Sequence, residues 1–426
     1  MAPISAVSPS WAVYRFVVAL AAALVLWATF TLPVQRLESL LPDLAGRLTP
    51  PAPATGSVTL VAIDAASLEA YGAWPWPRDR LASIVTRLQA YRPAAIGLRL
   101  ALGGAETPAA VAALDTQIEA VEPALRPRAR RWMKQLDTDA RLARALKRAG
   151  NVVLFAPCRT GAAGSSSAPD VLALQVAPGG STWLQGLAGL LMSAPLVSPG
   201  GFEWPLPSLL ASARGAGVGD DCHQWRRVDS VPLAVSVGDA AYPGFELALA
   251  MAATGQPVVE VRPGQGVALG DGRFLVAPDL RYYPRPAGPV PVYSLRTLLD
   301  DDGAGASLRG KTLILGRSTQ AGPAGWSAQV VDSLVGGSAL VMPAWFFAAQ
   351  RALVVLFALY LLAVPPRWHC LRAPLGSAFV AALALNAGLF ALTLQGLWLP
   401  VVVPVLFLSG AQLFLFLAGR RHGVLT

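Results

Sequence analysis

Charged residues, histidine and cysteine are all scarce in this chain of 426 residues. Only 14% of its residues are charged, and it has three histidines and three cysteines. Because charged residues, histidine and cysteine are so few, the chain has little material for a metal centre, a catalytic triad or a disulfide framework. GxSxG, HExxH, Walker and CxxC motifs are also absent. We therefore expect neither catalysis by this chain nor a bound cofactor.

The few candidates for metal ligands are scattered. His223 is the single histidine between residues 33 and 342. The acidic clusters at 220–221 and 300–302 lack the spacing of a calcium-binding loop. We interpret both clusters as turns and expect no metal site.

Acidic residues are missing from both ends of the chain. All 25 lie between Glu38 and Asp332, while the formal net charge of the chain is +9. Part of this excess comes from arginines in or beside apolar segments, which is typical of membrane flanks. We therefore do not expect nucleic acid as a partner.

Long apolar runs are abundant, and the mean hydropathy is +0.49. About 20 apolar residues are enough for a helix to cross a bilayer core. The first run has a signal peptide as its alternative, but it is longer than such a peptide requires and lacks a small-x-small cleavage site. The sequence predicts four transmembrane helices, at residues 11–32, 343–364, 375–394 and 399–418.

Basic residues predict the orientation of these helices. Residues 365–374 and 419–426 contain arginine and histidine, and the positive-inside rule places them in the cytoplasm. We then expect residues 1–10 to be cytoplasmic, and the domain at 33–342 and the turn at 395–398 to lie outside.

Arg351 lies within the second predicted span. Its side chain either snorkels outward or forms an ion pair in the membrane. No predicted span contains Asp or Glu, so a carboxylate partner would have to belong to a second protein.

The region between the first two spans alternates between strand and helix patterns. Continuous apolar and β-branched runs predict strands at 57–64, 94–100, 151–157 and 312–316. Further strands are expected at 227–237 and 274–283. Helical periodicity predicts helices at 79–91 and 242–254 and an Arg-rich helical stretch that ends at 149. This order predicts an α/β domain with a mainly parallel central sheet.

Polar residues follow several of the predicted strands: Asp64, Arg99, Cys158, Arg317, Ser318 and Thr319. Ligands bind beyond the carboxyl ends of parallel strands, so Arg99 and Arg317 are candidates for recognising an anionic ligand. The alternative is structural. In that case Asp64 caps the next helix through Ser67 and pairs with Arg99.

Trp74, Trp76 and Arg78 belong to a stiff WPWPR segment, because each proline restricts itself and the preceding residue. The aromatic rings either stack on a ligand or partner, or form a structural latch that leads into the helix at 79–91.

The densest basic run is at 126–134. It either contacts lipid headgroups or anionic envelope polymer, or forms a solvated helix face.

Two cysteines, Cys158 and Cys222, fall in the predicted external domain, where a disulfide between them is possible. We expect Cys370, in the cytoplasmic loop, to stay reduced.

Several motifs in order resemble CHASE domains of the second type, and residues 74–78 are the most specific of them. The others are the rest of 61–88, AIG at 95–97, AGNVVL at 149–154, RYYPRPAG at 281–288, YSLRTLL at 293–299, GKTLILG at 310–316 and GLWLPVVVP at 396–404. The resemblance implies a bacterial extracytoplasmic sensor domain with one span before it and three after it. In this family the sensor precedes cyclases, histidine kinases or Ser/Thr kinases.

The chain departs from this family at Arg99, where the family's AIGFD motif has an acidic residue. A Glu-Ile-His segment before the second span is also missing, and we expect the chain to lack the usual cytoplasmic effector. We therefore expect a membrane sensor or signalling subunit that passes an envelope cue to a separate effector chain. The alternative is a structural or assembly subunit of a bacterial envelope or membrane complex. The resemblance implies the inner membrane, contact with its lipids, and an external domain. An oligomer is possible.

Overall fold

The computed structural model describes the chain in segments. The described residues are 9–29, 37–38, 40–41, 44, 54–106, 124–158, 174, 201–219, 230–237, 240–256, 258–262, 266–269, 272–274, 281–282, 284, 288–301, 303, 305–317, 322–336, 345–363 and 372–421. They fall into two compact units, the helical unit (described residues within 9–44 and 345–421) and the sheet unit (described residues within 54–174 and 201–336).

The sheet unit contains all the strands that are described. They are β1 (Val58–Ala62), β2 (Ala95–Arg99), β3 (Val152–Ala156), β4 (Gly215–Val218), β5 (Val231–Pro232), β6 (Ala234–Val237), β7 (Ala240–Pro243), β8 (Val258–Arg262), β9 (Gly266–Leu269), β10 (Gly272–Phe274), β11 (Arg281–Tyr282), β12 (Val292–Ser294) and β13 (Thr312–Gly316).

Helices occur in both units. They are α1 (Pro9–Ala28), α2 (Ala65–Tyr71), α3 (Arg78–Ala90), α4 (Arg126–Leu136), α5 (Thr138–Ala149), α6 (Pro207–Leu210), α7 (Phe245–Thr254), α8 (Leu295–Asp300), α9 (Pro323–Val335), α10 (Phe346–Ala363), α11 (Arg372–Phe390) and α12 (Val402–Arg421).

Six parallel strands form the central sheet, in the spatial order β12-β1-β13-β2-β3-β4. This confirms the predicted α/β class and the mainly parallel sheet. The predicted strands at 57–64, 94–100, 151–157 and 312–316 correspond to β1, β2, β3 and β13. Their apolar runs are long enough to be buried on both faces, which is typical of parallel sheets.

Helices cover both faces of this sheet, because successive strand residues point to opposite sides. On one face, Ile96 and Leu98 of β2 pack in a cluster with Leu88 of α3 and Leu146 of α5. On the other face, the cluster contains apolar residues of α7 and α9, among them Phe245 and Val331. The sheet is thus the middle of three layers.

Gly217 allows α7 to lie close to the sheet. A Cβ atom at this position would collide with the backbone at the start of α7, at Phe245 and Gly244. At Gly215, two residues earlier on β4, a Cβ atom would meet no atom within 4 Å.

Shorter antiparallel pairs complete the sheet unit. Strands β8, β9 and β10 form a three-stranded sheet, β6 pairs with β7, and β5 pairs with β11. The prediction of a helix at 242–254 was wrong at its start. Tyr242 and Pro243 extend β7, and the helix begins at Phe245 after Gly244 in an extended conformation.

The helical unit packs α1, α10 and α12 around an apolar cluster that includes Val18, Val354, Leu361 and Leu408. A π-helical turn, Ala391–Gln395, follows α11. By length and composition, one apolar helical segment among the described residues can cross a membrane, Pro374–Gln395. It coincides with the third predicted span. Shorter apolar helices, at Arg15–Ala28, Ala348–Ala363 and Val402–Phe414, overlap the other three, and all four spans stay predictions.

Candidate functional site

Asp64 caps α2 at the carboxyl end of β1. Its Oδ1 accepts hydrogen bonds from the Ser67 backbone amide at 2.9 Å and from the Ser67 hydroxyl at 2.7 Å. Burial by itself raises the pKa of Asp64, but hydrogen bonds, those from Ser67 foremost, together outweigh this effect. The pKa therefore lies below its ordinary value. The capping role proposed for Asp64 is what this geometry provides.

Arg99 does not pair with Asp64. Strand β13 lies between β1 and β2, with Gly316 in register with both Ala62 and Arg99. The carboxyl ends of β1 and β2 are therefore two strand spacings apart, each of about 4.8 Å. The strand at 312–316 was predicted, but its place between β1 and β2 was not, because β13 comes more than 200 residues after β2.

Arg99 instead joins β2 to two helices. Its Nε donates to the Ser327 hydroxyl at 2.9 Å, and that hydroxyl donates to Glu246 Oε1 at 2.6 Å. The guanidinium also lies 4.5 Å from the centre of the Phe155 ring, in cation–π geometry. Ser327 and Glu246 are buried. Sequence reasoning missed both, although Glu246 is the one charged residue in an otherwise apolar helix, a pattern that often marks a buried polar contact.

Arg317 lies on the opposite face of the sheet from Arg99. The Cβ that Gly316 lacks would point toward Ala324 of α9, so the next side chain points the other way. The Arg317 guanidinium lies 5.7 Å from the centre of the Trp74 ring. Ser318 and Thr319 lie outside the described residues. The two predicted anion-binding arginines are therefore not brought into one pocket.

The WPWPR segment packs into the core of the sheet unit. Trp76 is 4% exposed, and its Nε1 donates to the Gly72 carbonyl at 2.8 Å. Trp74 contacts Trp76 with ring centres 5.7 Å apart, and both belong to or border the cluster beneath α3.

Arg78 forms a buried ion pair with Asp139 of α5. It also donates to the carbonyls of Leu102 and Gly104, while its backbone amide donates to Glu106. The Glu106 amide in turn donates to Asp139 Oδ2 at 3.1 Å. Asp139 is a partner that sequence reasoning missed, because nothing in the spacing of Asp137 and Asp139 at the start of α5 distinguishes the buried acid.

The basic run at 126–134 lies on α4. Arg128, Arg131 and Trp132 are exposed, and the Arg128 guanidinium lies 5.2 Å from the centre of the Trp132 ring. These side chains are accessible to solvent, lipid or polymer.

Cys158 is disulfide-bonded in the structure. Cys222 and Cys370 lie outside the described residues, so the pairing of Cys158 with Cys222 and the reduced state of Cys370 stay predictions.

In the helical unit, Arg351 has a contact within the chain. Its Nε donates to the Thr29 hydroxyl at 3.3 Å, which links α10 to the end of α1. The contact does not test whether a second protein supplies a carboxylate.

Glu38 is the polar residue of the helical unit that sequence reasoning overlooked. It is buried and accepts hydrogen bonds from the backbone amides of Val402 and Val403 at 3.1 and 2.8 Å. The Gln350 side chain donates to the same carboxylate at 2.9 Å. Glu38 thereby satisfies amides at the start of α12.

No group of three or more His, Cys, Asp or Glu suited to a metal occurs among the residues that the structure describes.

A three-layer α/β domain with a parallel sheet and polar side chains at its carboxyl rim has the architecture in which ligands bind beyond the strand ends. The chain belongs to the CHASE2 domain family, which matches residues 17–365. This is a family of extracellular sensor domains, and membership supports a sensory role in general. No curated protein and no solved structure matches the chain.

Proposed function

We propose that this chain is a non-catalytic sensor subunit of the bacterial inner membrane. Its external domain detects an envelope cue, and a separate effector chain carries the output. The CHASE2 match, which extends from the first predicted span into the second, is the observation that supports this proposal most strongly. A sensor of this kind needs two states that differ in affinity for the cue or for the partner.

Exposed apolar side chains support a membrane location for the helical unit. Phe16, Trp27, Phe379 and Leu394 are each at least 66% exposed, and water is an unfavourable solvent for such a surface. Among the described residues of the sheet unit, few large apolar side chains are exposed: Leu125, Trp132, Leu136 and Val292. We infer that α1, α10, α11 and α12 cross the membrane, with both termini in the cytoplasm.

The Arg99 contacts provide a means of coupling. A ligand that drew the guanidinium away from Ser327 would remove a hydrogen bond that holds β2 to α9. Helix α9 is followed in the chain by α10, a predicted span, so a change in α9 has a covalent route toward the membrane. Arg99 is therefore the residue of the rim most suited to couple binding to the spans.

A role as an assembly subunit is the second candidate. It is favoured by the internal contacts of Asp64, Arg99 and Arg317, all of which hold parts of the sheet unit together. In that case the external domain serves as a docking surface.

Affinity purification of the full-length chain from its native membrane, followed by mass spectrometry, tests the proposal. We expect a kinase, cyclase or transcription regulator to be recovered. Recovery of transport or surface-polymer components would favour the assembly role, and recovery of the chain alone would contradict both.

Substitution at the rim then separates sensing from assembly. In a sensor, Arg99→Gln with Arg317→Gln should abolish the response of the captured effector while the complex is retained. The matched control, Arg214→Gln with Arg309→Gln, removes two exposed arginines and should leave the response unchanged.

A further inference from the structure

A basic groove runs between α3 and α5 on the outer side of the sheet unit. Its volume is about 1300 Å³. Small side chains of α3 line one side of it, and long cationic side chains, most of them from α5, line the other. The lining residues are Asp79, Ala82, Ser83, Thr86, Arg87, Ala90, Arg141, Arg144, Lys147 and Arg148.

The charge of this groove is strongly one-sided, with five cations and one carboxylate in the lining. The carboxylate, Asp79, lies 3.6 Å from Arg141. Among the described residues, no carboxylate lies within 4.0 Å of Arg144, Lys147 or Arg148. A concave surface lined by one sign of charge concentrates counter-ions of the opposite sign.

Two of these cations are held in place by their own helix. Arg144 Nε donates to the Ala140 carbonyl at 3.1 Å, and Arg148 Nε donates to the Arg144 carbonyl at 3.3 Å. The guanidinium groups are therefore laid along α5. Holding them there reduces the entropy that a ligand would have to remove on binding.

The spacing of the cations fits an extended ligand. Arg141, Arg144 and Arg148 share one face of α5 and extend over about 10 Å at about 1.5 Å per residue. A small anion would contact one or two of them, whereas a linear polymer follows all three. Arginine also recognises phosphate through paired hydrogen bonds.

The composition of the lining disfavours a lipid surface. Its apolar members are alanines, and it lacks the large apolar side chains with which surface helices enter a bilayer. Arg144, Lys147 and Arg148 lie within two turns of one helix, and none of them has a described carboxylate neighbour. Such closely spaced cations favour a ligand with many charges per unit length, as phosphate chains have.

We propose that this groove binds a linear phosphate polymer. The binding follows from the groove itself, whereas the role of that polymer as the cue rests on the proposed sensory function.

The test is titration of the full-length chain, in nanodiscs of zwitterionic lipid, with inorganic polyphosphate. Arg144→Gln, Lys147→Gln and Arg148→Gln together should weaken binding at least about tenfold. They should also reduce the slope of log Kd against log salt by about two to three. Since all three side chains are exposed, the melting temperature of the variant should match that of the parent and show that it folds.

The matched control is Arg214→Gln, Arg296→Gln and Arg309→Gln, which removes the same charge from exposed arginines outside the groove lining. It should leave the affinity within about twofold. Equal weakening by both triple variants would overturn the proposal, because net charge alone would then explain binding. Absence of binding would overturn it too.

Two further ligands test the chemistry. Polyglutamate bound as tightly as polyphosphate would overturn the assignment to phosphate, and tighter binding to vesicles with anionic lipid would overturn the assignment to a polymer. The binding measurement does not depend on whether an effector is recovered by affinity purification. A chain that binds polyphosphate but brings down no partner would refute the proposed function, while polyphosphate would remain the ligand of the groove.

Discussion

At the scale of single residues, three polar side chains that the structure describes at the carboxyl rim are used by the fold. Asp64 caps a helix, Arg99 joins a strand to two helices, and Arg317 stacks on Trp74. A ligand at this rim would therefore exchange one set of contacts for another, which is the property that a two-state sensor requires.

The cap at Asp64 gives a stability prediction. Asp64→Ala should lower the free energy of unfolding by about 1 kcal/mol, because two hydrogen bonds to Ser67 are lost. Chemical denaturation of the full chain in detergent measures this difference. Glu69→Ala, an exposed acid on the same helix, should change the stability little and serves as the control.

The pH dependence of this cap has a defined sign. The pKa of Asp64 is lower in the folded state than its ordinary value of 3.8, so its contribution is complete well above that value. It is lost as the pH falls through the folded pKa. The difference between the parent and Asp64→Ala should therefore shrink under acid conditions, and a difference that grew there would contradict the proposed ionised cap.

At the scale of elements, the strands that sequence predicts well are the ones whose burial is continuous. Strands β1, β2, β3 and β13 are runs of apolar and β-branched residues, and their type follows from composition alone. Strand β4 was missed because its sequence, GAGV, has little β propensity and is held in place by its neighbours.

The order of the strands in the sheet could not be predicted from the sequence. Strands β1 and β2 follow each other along the chain but are separated in the sheet by β13. This insertion prevents the predicted Asp64–Arg99 pair. The cap at Asp64 needed only local spacing and could be predicted. The Arg99 contacts depend on long-range packing of α7 and α9, which no local pattern encodes.

Strand β4 also provides a test of helix packing. Gly217→Ala should destabilise the chain by about 1–3 kcal/mol, because the new Cβ meets the backbone at the start of α7, which cannot turn aside. Gly215→Ala on the same strand meets open space and should stay within about 0.5 kcal/mol of the parent. Thermal unfolding compares the two variants. Equal destabilisation by both would show that α7 is not in close contact with β4 at Gly217.

At the scale of the whole molecule, the chain combines an apolar surface on one unit with a polar surface on the other. The helical unit exposes large apolar side chains along α1, α10, α11 and α12, whereas the described part of the sheet unit buries nearly all of its own. This division supports the proposal of an external domain attached to four spans.

Cysteine labelling tests the topology. In a variant without its native cysteines, Ser208→Cys places a thiol on the exposed surface of the sheet unit, and Thr426→Cys places one in the C-terminal tail. A membrane-impermeant maleimide should label the first in intact spheroplasts and the second only after lysis. Labelling of both before lysis would contradict the four-span arrangement.

The carboxylate of Glu38 has a consequence for how the chain is made. The amide of Val402 that it binds lies 364 positions later in the sequence. At about 5–20 residues per second, a ribosome takes roughly 20–70 s to travel that distance. Throughout this interval Glu38 has been synthesised, but the Val402 and Val403 amides that donate hydrogen bonds to its carboxylate have not. The contacts of Glu38 that close the helical unit can therefore form only after residues 402 and 403 have been made.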